Sequence, residues 1–285
     1  MSADRFSVTY RLNGSASEAA SKAADICLEQ TVELPDDLIT DSDIREHILG
    51  QIVSLREVAP RCCEAVISFA VDLCAFDLPQ LLNVVFGNIS LKPGIRLERL
   101  DLPQNLLQAF KGPRFGREGL RDYLGVYDRP LLCTALKPLG WSSERLADLA
   151  YQLALGGIDI IKDDHGLTDQ RFSPFEERVQ CCIDAVRRAN RETGFNCIYV
   201  PHIAGPIERV FERALFAKQA GAGGLMFCPG LIGLDTMRWI ADDDRIALPI
   251  LAHPAFQGSF ITGANEGLSH FALFGQLTRP PRPDA

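Results

Sequence analysis

The chain has 285 residues, of which 47% are hydrophobic, and it carries a formal net charge of −8 at pH 7. A chain of this length can bury a substantial core and form one or two domains. The acidic balance offers no basic surface to nucleic acid or to an anionic membrane, so we expect neither as a partner. The sequence shows no apolar run long enough to cross a membrane and no signal peptide, which favours a cytoplasmic protein.

The nine cysteines do not follow a pattern typical of disulfide-rich proteins or of zinc sites. Two adjacent pairs occur, Cys62-Cys63 and Cys181-Cys182, and there is no C-x-x-C motif. We therefore predict reduced cysteines that pack as small hydrophobic residues in a reducing compartment.

The first part of the chain mixes strand and helix patterns in an irregular order. Apolar residues at every second position predict strands, and stretches with apolar residues on one face predict helices. Ser17 is a possible N-cap of the first helix. Such a mixture is typical of an α+β domain, which we place at residues 1–125. The predicted strands cover residues 5–12, 29–35 and 63–71, and the predicted helices cover residues 15–30, 78–86 and 114–125.

From Arg129 onward, strand and helix patterns alternate strictly, which predicts an α/β fold with a parallel sheet, either open or closed into a barrel. A complete (β/α)8 barrel needs about 250 residues. The 156 residues after Arg129 are enough for about five βα units, so we expect a truncated or frame-shifted gene product. We place this second domain at residues 126–285. The predicted strands cover residues 131–136, 158–162, 197–202, 224–228 and 250–253, and the predicted helices cover residues 143–155, 175–193, 206–220 and 234–241.

The predicted strand at residues 158–162 runs into four ionisable side chains, Lys162, Asp163, Asp164 and His165. Burying such a cluster without partners is costly, so it fits the open end of a strand better than a core. In (β/α) barrels the carboxyl ends of the strands carry the reactive residues. The cluster is therefore a candidate site for a divalent metal ion. The alternative is a solvated loop with a local salt bridge, and the residues by themselves leave both open.

A series of short motifs resembles the large subunit of RuBisCO. The resemblance spans residues 5–279 and is greatest to the RuBisCO-like proteins, the branch of the family that does not fix carbon dioxide. The motifs are Asp72-Leu73, Gly87-Asn88, residues 97–103, Gly112-Pro113, residues 129–140 with their Leu-Lys-Pro sequence, and residues 156–165.

The resemblance implies an α+β N-terminal domain followed by a (β/α)8 barrel, which this chain would enter but not complete. It also implies a head-to-tail homodimer, in which the N-terminal domain of one subunit completes the active site of the other. The chemistry shared by the family is proton abstraction next to a carbonyl group, with Mg²⁺ stabilising the enediolate. A lysine carbamate and two acids hold this ion.

Four residues of the barrel match the machinery of the family. Lys137 matches the lysine of the first strand that acts as acid or base. A lysine that loses water beside a metal ion has a lowered pKa and can exchange its proton near neutral pH, as this role requires. The alternative is a surface lysine. Lys162 matches the lysine that becomes a carbamate, an anionic oxygen ligand suited to a hard metal ion. Asp164 matches an acidic metal ligand, and Asp163 matches a residue that orients the ligands from behind.

Other matches lie further from the proposed metal ion. Asn88 and Glu29 match positions that the neighbouring subunit contributes, although Asn88 could equally be a left-handed turn residue after Gly87. His253 matches a histidine near the substrate, and the alternative is a hydrogen-bonded core residue. His202 has only its place at the end of a strand to support a role beside the substrate.

Two positions depart from the carboxylating enzymes. His165 stands where they have a glutamate ligand, and a neutral imidazole suits Zn²⁺, Fe²⁺ or Mn²⁺ better than Mg²⁺. Either Mg²⁺ binds more weakly, or His165 is not a ligand. Pro254 replaces an arginine that holds a substrate phosphate, which argues against a bisphosphate substrate. The sequence also stops before the strand-six loop and the glycine-rich phosphate cradle of the family.

We therefore predict a RuBisCO-like enzyme that uses metal-assisted enolisation to tautomerise, cleave or decarboxylate a small keto-sugar acid or keto-sugar monophosphate, without fixing carbon dioxide. The Lys-Asp-Asp-His-Gly stretch at residues 162–166, together with the short loop at residues 136–140, favours cleavage or decarboxylation of a 3-oxo-sugar acid. The expected cofactor is Mg²⁺, with Mn²⁺ or another divalent ion as alternatives, and Lys162 is expected to carry the carbamate. The competing hypotheses are an inactive truncated paralogue with a role in assembly, and a true ribulose-bisphosphate carboxylase.

Overall fold

The computed structural model describes residues 4–279 and forms two compact units. The first unit consists of the chain up to Gly112 together with the segment from Gln257 onward, and the second is Pro113–Phe256. No helix in residues 4–279 is long and apolar enough to cross a membrane. The predicted domain ends at residues 1–3 and 280–285 lie outside the described part of the chain.

The described residues form ten strands and ten α-helices. The strands are β1 (Arg5–Asn13), β2 (Gln51–Ala59), β3 (Cys62–Ala70), β4 (Ile95–Asp101), β5 (Cys133–Leu136), β6 (Ile160–Asp163), β7 (Ile198–Val200), β8 (Leu225–Phe227), β9 (Ile250–Ala252) and β10 (Gly267–Leu268). The helices are α1 (Ala16–Glu29), α2 (Leu78–Phe86), α3 (Gln104–Leu107), α4 (Gly116–Leu124), α5 (Ser143–Leu155), α6 (Phe175–Thr193), α7 (Ile207–Ala220), α8 (Pro229–Ile232), α9 (Leu234–Asp242) and α10 (Gly258–Ile261). Short 3-10 or π-helical turns lie at Asp36–Leu38, Ile44–Ile48, Val71–Cys74, Asn88–Leu91 and Phe271–Leu277.

The first unit is built on a five-stranded sheet with the strand order β10-β4-β1-β3-β2. Neighbouring strands are antiparallel, except that β10 runs parallel to β4. In β1 the side chains of Phe6, Val8, Tyr10 and Leu12 are buried, because alternate residues of a strand point to the same face of the sheet. The α+β character predicted for this part of the chain is confirmed.

The N-cap of the first helix lies two residues before the predicted one. Ser15, not Ser17, accepts a hydrogen bond from the N–H of Glu18, while the Glu18 carboxylate accepts from the N–H of Ser15. This reciprocal capping box satisfies two donors that the first turn of a helix cannot use internally.

Other differences in the first unit concern strands. Residues 29–35 were expected to be extended, but α1 continues to Glu29, and the N–H groups of Val32 and Glu33 donate to the carbonyl oxygen of Leu28. The prediction of an extended segment is wrong, because the residues after Glu29 form a hydrogen-bonded turn at the end of the helix. β2 was not predicted, and its residues are exposed or half-buried throughout, so its sequence lacks the apolar alternation that identifies a strand.

The second unit contains the five predicted parallel strands. β5, β6 and β7 are hydrogen-bonded in this order, β8 pairs with β9, and a single bridge between His202 and Met226 connects the two groups. Helices α5, α6, α7 and α9 separate successive strands along the chain and pack in one hydrophobic core with them. The alternation of strands and helices predicted from the sequence is confirmed. Because neighbouring strands are parallel, the residues that follow them leave the sheet at its carboxyl edge.

The boundary between the two units lies earlier than the predicted boundary at residue 125. Leu124 of α4 packs against Ile160, Ile198 and Met226, so this helix is part of the second unit. The chain after Phe256 returns to the first unit, where β10 pairs with β4. Sequence alternation could not show this return, because it depends on a pairing between distant segments.

All nine cysteines are free thiols, as predicted from their spacing. Burial raises the pKa of Cys27, Cys74 and Cys197 to about 12. A thiol with such a pKa stays protonated at neutral pH and is a poor nucleophile. These three cysteines therefore serve as small hydrophobic residues.

Candidate functional site

Lys137 and Asp164 meet at the carboxyl ends of β5 and β6. The two strands are parallel neighbours, with Leu136 opposite Asp163, so the residues that follow them leave the sheet at the same edge. Lys137 Nζ lies 3.3 Å from Asp164 Oδ1. The Lys137 side chain is 66% exposed, so it is not the desolvated lysine that we expected, and it projects into solvent at the strand ends.

The carboxylate of Asp164 is held from three sides. The N–H of Gly166 donates to its Oδ2 (3.2 Å), and Nδ1 of His165 lies 3.6 Å from the same oxygen. Partial burial raises the pKa of Asp164, but the Gly166 N–H and the charges of Lys137 and His165 outweigh this effect and lower it. Asp164 is therefore an anion at neutral pH, as a metal ligand requires.

His253 follows β9 and lies against His165. The two imidazole rings stack with 4.5 Å between centroids and 14° between planes. The N–H of Ala255 donates to Nδ1 of His253 (3.2 Å), so the proton of the neutral ring is on Nε2. Burial, followed by the charges of His165 and Lys162, lowers the pKa of His253. His253 is thus a neutral imidazole at pH 7, with an N–H available as a donor.

Lys162 and Asp163 point to opposite faces of β6, as alternate residues of a strand do. Lys162 Nζ donates to the carbonyl oxygen of Asp163 (3.0 Å). Its charge acts on the strand-end residues Cys228 and His253: it lowers the pKa of His253, and it opposes burial, which raises the pKa of Cys228. Lys162 is therefore close enough to Cys228 and His253 for its charge to affect both side chains.

Asp163 is fully buried and faces away from this edge. Its Oδ2 accepts from Nε of Arg178 (3.2 Å) and from the N–H of His202 (3.0 Å), and its Oδ1 accepts from the Tyr199 hydroxyl (2.5 Å). Burial and the Asp163 charge raise the pKa of Tyr199. These contacts support the predicted orienting role, because Asp163 fixes the end of β6 immediately before Asp164.

His202 is buried, with both ring nitrogens engaged inside the protein. Nδ1 lies 3.0 Å from the carbonyl oxygen of Leu167 and must carry the proton, so Nε2, 3.3 Å from Cys228 Sγ, accepts from the thiol. Burial lowers the pKa of His202. This arrangement favours a supporting role over contact with a substrate. Sequence reasoning missed Cys228, whose only signal was its position at the end of a predicted strand.

The donors at this edge suit a divalent metal ion only in part. Asp164 supplies a carboxylate and His165 an imidazole, but within residues 4–279 no group of three His, Cys, Asp or Glu side chains is placed to hold a metal ion. A carbamate on Lys162 would add the missing anionic oxygen and would remove the nearby ammonium charge. Asp164 and His165 are thus two donors that suit a divalent ion, and the carbamate on Lys162 that would complete the set stays a prediction.

Asn88 and Glu29, which were matched to positions contributed by the neighbouring subunit, are hydrogen-bonded to each other in the first unit. Asn88 Nδ2 donates to Glu29 Oε1 (3.1 Å), and Lys92 Nζ lies 3.3 Å from Glu29 Oε2 and 2.7 Å from Asp25 Oδ2. The hydrogen bond from Asn88 and the Lys92 ammonium lower the pKa of Glu29. Asn88 has no positive φ, so the left-handed turn considered as an alternative does not occur. The cluster is exposed enough to contact another molecule.

Two buried arginines next to the site were missed by sequence reasoning. Arg178 of α6 and Arg213 of α7 each occupy a position in the apolar stripe of their helix. The signal in the sequence was an arginine that comes three residues after one apolar residue and directly before another apolar residue. A residue in such a position of a helix faces the core. In α6 the stripe is Phe175, Arg178, Val179 and Cys182, and in α7 it is Val210, Arg213, Ala214 and Ala217.

Comparison with known proteins gives the family of this chain. Residues 116–279 match the model of the ribulose bisphosphate carboxylase large chain, catalytic domain. The 5-methylthioribulose-1-phosphate isomerase of Rhodospirillum rubrum is 36% identical over 283 residues, which cover 99% of this chain and 74% of the relative. The 2,3-diketo-5-methylthiopentyl-1-phosphate enolase of Bacillus velezensis is 34% identical over 265 residues, which cover 90% of this chain and 64% of the relative.

A solved structure agrees with these sequence matches. The crystal structure of a Rubisco-like protein from Rhodopseudomonas palustris superimposes with a TM-score of 0.88 at 35% identity, and the match covers 98% of this chain and 75% of that chain. The sheet order, the strand-end residues and the sequence matches therefore all lead to one conclusion: this chain belongs to the ribulose bisphosphate carboxylase large-chain family, with RuBisCO-like proteins among its relatives.

Proposed function

We propose that this protein catalyses metal-assisted enolisation of a small keto-sugar monophosphate or keto-sugar acid and does not fix carbon dioxide. The relatives support this class of reaction, since an isomerase of a keto-sugar phosphate and an enolase of a diketo compound both move a proton next to a carbonyl group. Their names favour a phosphorylated substrate. The 3-oxo-sugar acid favoured by the short loop after β5 stays a prediction.

The observation that carries the proposal is the contact between Lys137 and Asp164 at the strand ends. A lysine removes a proton only when it is uncharged, and Nζ of Lys137 is in contact with the carboxylate of Asp164 (3.3 Å). The carboxylate of Asp164 would interact less strongly with the Lys137 ammonium when it also binds a divalent ion. We therefore propose that loading the site frees Lys137 from Asp164, so that Nζ can take the proton next to the substrate carbonyl.

Asp164, His165 and a carbamylated Lys162 would hold Mg²⁺ or Mn²⁺, which supplies positive charge next to the substrate oxygens. His253 presents Nε2–H at the same edge and would donate a hydrogen bond to a substrate oxygen. That bond strengthens as negative charge develops during proton removal. Asn88, oriented by Glu29 (3.1 Å), would contact the substrate of a second copy of the chain in a homodimer.

The test follows exchange of the substrate proton by NMR in D2O. The purified protein is incubated with Mg²⁺ or Mn²⁺, bicarbonate and 5-methylthioribulose 1-phosphate. We expect metal-dependent deuterium uptake next to the carbonyl, and a rate about 10² to 10⁴-fold lower in Lys137→Met, because the general base is removed. Lys218→Met, on the outer helix α7, is the matched control and should exchange at the wild-type rate.

A parallel assay uses ribulose 1,5-bisphosphate and labelled carbon dioxide. Pro254 cannot pair with a phosphate, because it has neither a charge nor an N–H group, so we expect no incorporation of label. Incorporation at a metal-dependent rate, or deuterium uptake that survives unchanged in Lys137→Met, would show that the proposal is wrong.

A further inference from the structure

The loop between β6 and α6, residues 164–174, carries Asp164 and His165 and is held by two buried guanidinium groups. Arg178 is fully buried in α6. It donates from Nε to Asp163 (3.2 Å), from Nη2 to the carbonyl oxygen of Thr168 (2.7 Å) and from Nη1 to that of Ser173 (2.7 Å). One side chain thus joins the end of β6 to two points of the loop.

Arg213 reaches the same loop from the next helix. Its side chain is 8% exposed, and it donates from Nη2 to Asp169 Oδ2 (3.1 Å) and from Nη1 to the carbonyl oxygen of Ala204 (2.8 Å). The other oxygen of Asp169 accepts from the N–H of Phe175 (2.8 Å) at the start of α6. Arg213 therefore ties the loop after β6 to the loop after β7 and to the first turn of α6.

The two guanidinium groups pack closely against a glycine and an aromatic ring. A Cβ atom on Gly205 would overlap the guanidinium of Arg213, so the backbone passes as close as a glycine permits. The Phe175 ring has the Cζ atoms of both arginines near its centroid, at 5.8 Å for Arg178 and 5.2 Å for Arg213. The arginines and the aromatic ring form one packed assembly beneath the loop.

Burying these charged side chains costs desolvation free energy, which indicates that they position the loop and do not mainly stabilise the fold. A buried charged network stabilises a fold less than well-packed apolar residues of similar volume do. The Nε atom of Arg213 has no hydrogen-bond partner in residues 4–279, so part of its desolvation is not offset. Two arginines in apolar stripes are then better explained by the position that they impose on the loop.

We propose that Arg178 and Arg213 are positioning residues that fix the 164–174 loop and thereby set the affinity of the Asp164–His165 site for a divalent ion. The inference rests on the proposed function for its metal, but the clamping of the loop does not. Removing an outer partner of metal ligands typically weakens metal binding or activity by about 10 to 100-fold.

Amide hydrogen exchange tests the clamp without metal or substrate. Arg213→Met removes both donors, and Asp169→Asn weakens the same contact from the half-exposed side of the loop while keeping an oxygen that can accept from the N–H of Phe175. We expect exchange of residues 164–174 to accelerate about tenfold in both variants, with no change at β7. Arg213→Lys should restore part of the protection, because an ammonium can satisfy one acceptor at a time. Lys218→Met is the matched control, since it also removes a positive charge from α7, but in the last turn of that helix.

Calorimetric titration with Mn²⁺ in the presence of bicarbonate tests the consequence. We expect the dissociation constant to rise about 10 to 100-fold in Arg213→Met and Asp169→Asn, less in Arg213→Lys, and not in Lys218→Met. A variant that exchanges faster throughout the chain would have a structural defect only, and this result would overturn the inference. Wild-type exchange at residues 164–174 in Asp169→Asn and Arg213→Lys would also overturn it. If wild-type protein exchanges no substrate proton, the proposed function fails, while the exchange data still decide whether the arginines clamp the loop.

Discussion

His165 and His253 stack face to face, with 4.5 Å between ring centroids, although they follow strands β6 and β9, which are not neighbours in the sheet. Burial lowers the pKa of His253, and a charge on the stacked ring of His165 lowers it further. The contact therefore joins a candidate metal ligand to a candidate substrate donor and makes the charge of His253 depend on His165.

The first prediction concerns the titration of His253 in metal-free protein. Burial lowers the pKa of His253 most, and the charge of His165 lowers it further. Replacing His165 with phenylalanine keeps a stacked ring but removes its charge, so we expect the pKa of His253 to rise while remaining below the ordinary value. NMR titration of the imidazole signals measures this shift. An unchanged or lower pKa would show that the two rings are not coupled.

The second prediction concerns the buried pair of Asp163 and Arg178. Asp163→Asn removes the charge that faces a fully buried guanidinium, so the free energy of unfolding should fall by about 3 to 5 kcal/mol. Urea denaturation followed by circular dichroism measures the change. Asp184→Asn, on the exposed face of α6, is the control and should cost less than about 0.5 kcal/mol. Similar losses in both variants would contradict the assigned role of the pair.

The third prediction is a pH dependence at the amino ends of the barrel strands. Arg129 donates two hydrogen bonds of 2.7 Å to Asp159, whose Oδ2 also accepts from the N–H of Leu132 (2.8 Å). The hydrogen bonds from Arg129 outweigh burial and lower the pKa of Asp159. A lowered folded-state pKa means that this stabilisation is complete above the unfolded-state pKa and is lost as the pH falls through the folded-state value.

Asp159→Asn should therefore be less stable than wild-type protein at pH 7, and the difference should shrink as the pH is lowered from about 5 toward 2. Unfolding free energies of both proteins, measured at several pH values in this window, test the sign. A difference that grows toward low pH would rule out Asp159 as the titrating group.

The fourth prediction concerns the charge of the candidate metal site. His165→Glu adds a negative charge and a carboxylate oxygen, so Mg²⁺ should bind about tenfold more tightly, because its affinity depends on the charge and type of its ligands. Calorimetric titration measures this, with His47→Glu as a control that changes the net charge equally in the first unit. Equal Mg²⁺ affinities in wild type and His165→Glu would show that residue 165 is not a ligand.

The fifth prediction concerns Lys162. If it carries the carbamate, ¹³C-labelled bicarbonate should give a carbamate signal in the NMR spectrum, and metal binding should tighten as bicarbonate is added, because the third donor forms only then. Lys162→Met should lose both effects, whereas Lys218→Met should keep them. A carbamate signal that persists in Lys162→Met would assign the modification to another lysine.

Much of the architecture could be predicted from the sequence, because apolar periodicity is written along the chain. The five strands and the four intervening helices predicted after Arg129 were found where the switch between periods of two and 3.6 residues placed them. The charged cluster after β6 and the lysine after β5 were recognised because polar groups interrupt apolar runs at strand ends. β2 escaped prediction because it is exposed on both faces, so burial imposes no pattern on it.

Only the tertiary structure decided which of these side chains meet. The contact of Lys137 with Asp164 depends on β5 and β6 being parallel neighbours in register, and the stacking of His165 on His253 depends on strands that are not adjacent. The sequence by itself determined which residues end the strands, since local hydrophobicity governs where a strand stops. It could not assign Asp163 to Arg178 or Asp169 to Arg213, because buried charges choose their partners by the packing of helices and loops that are distant along the chain.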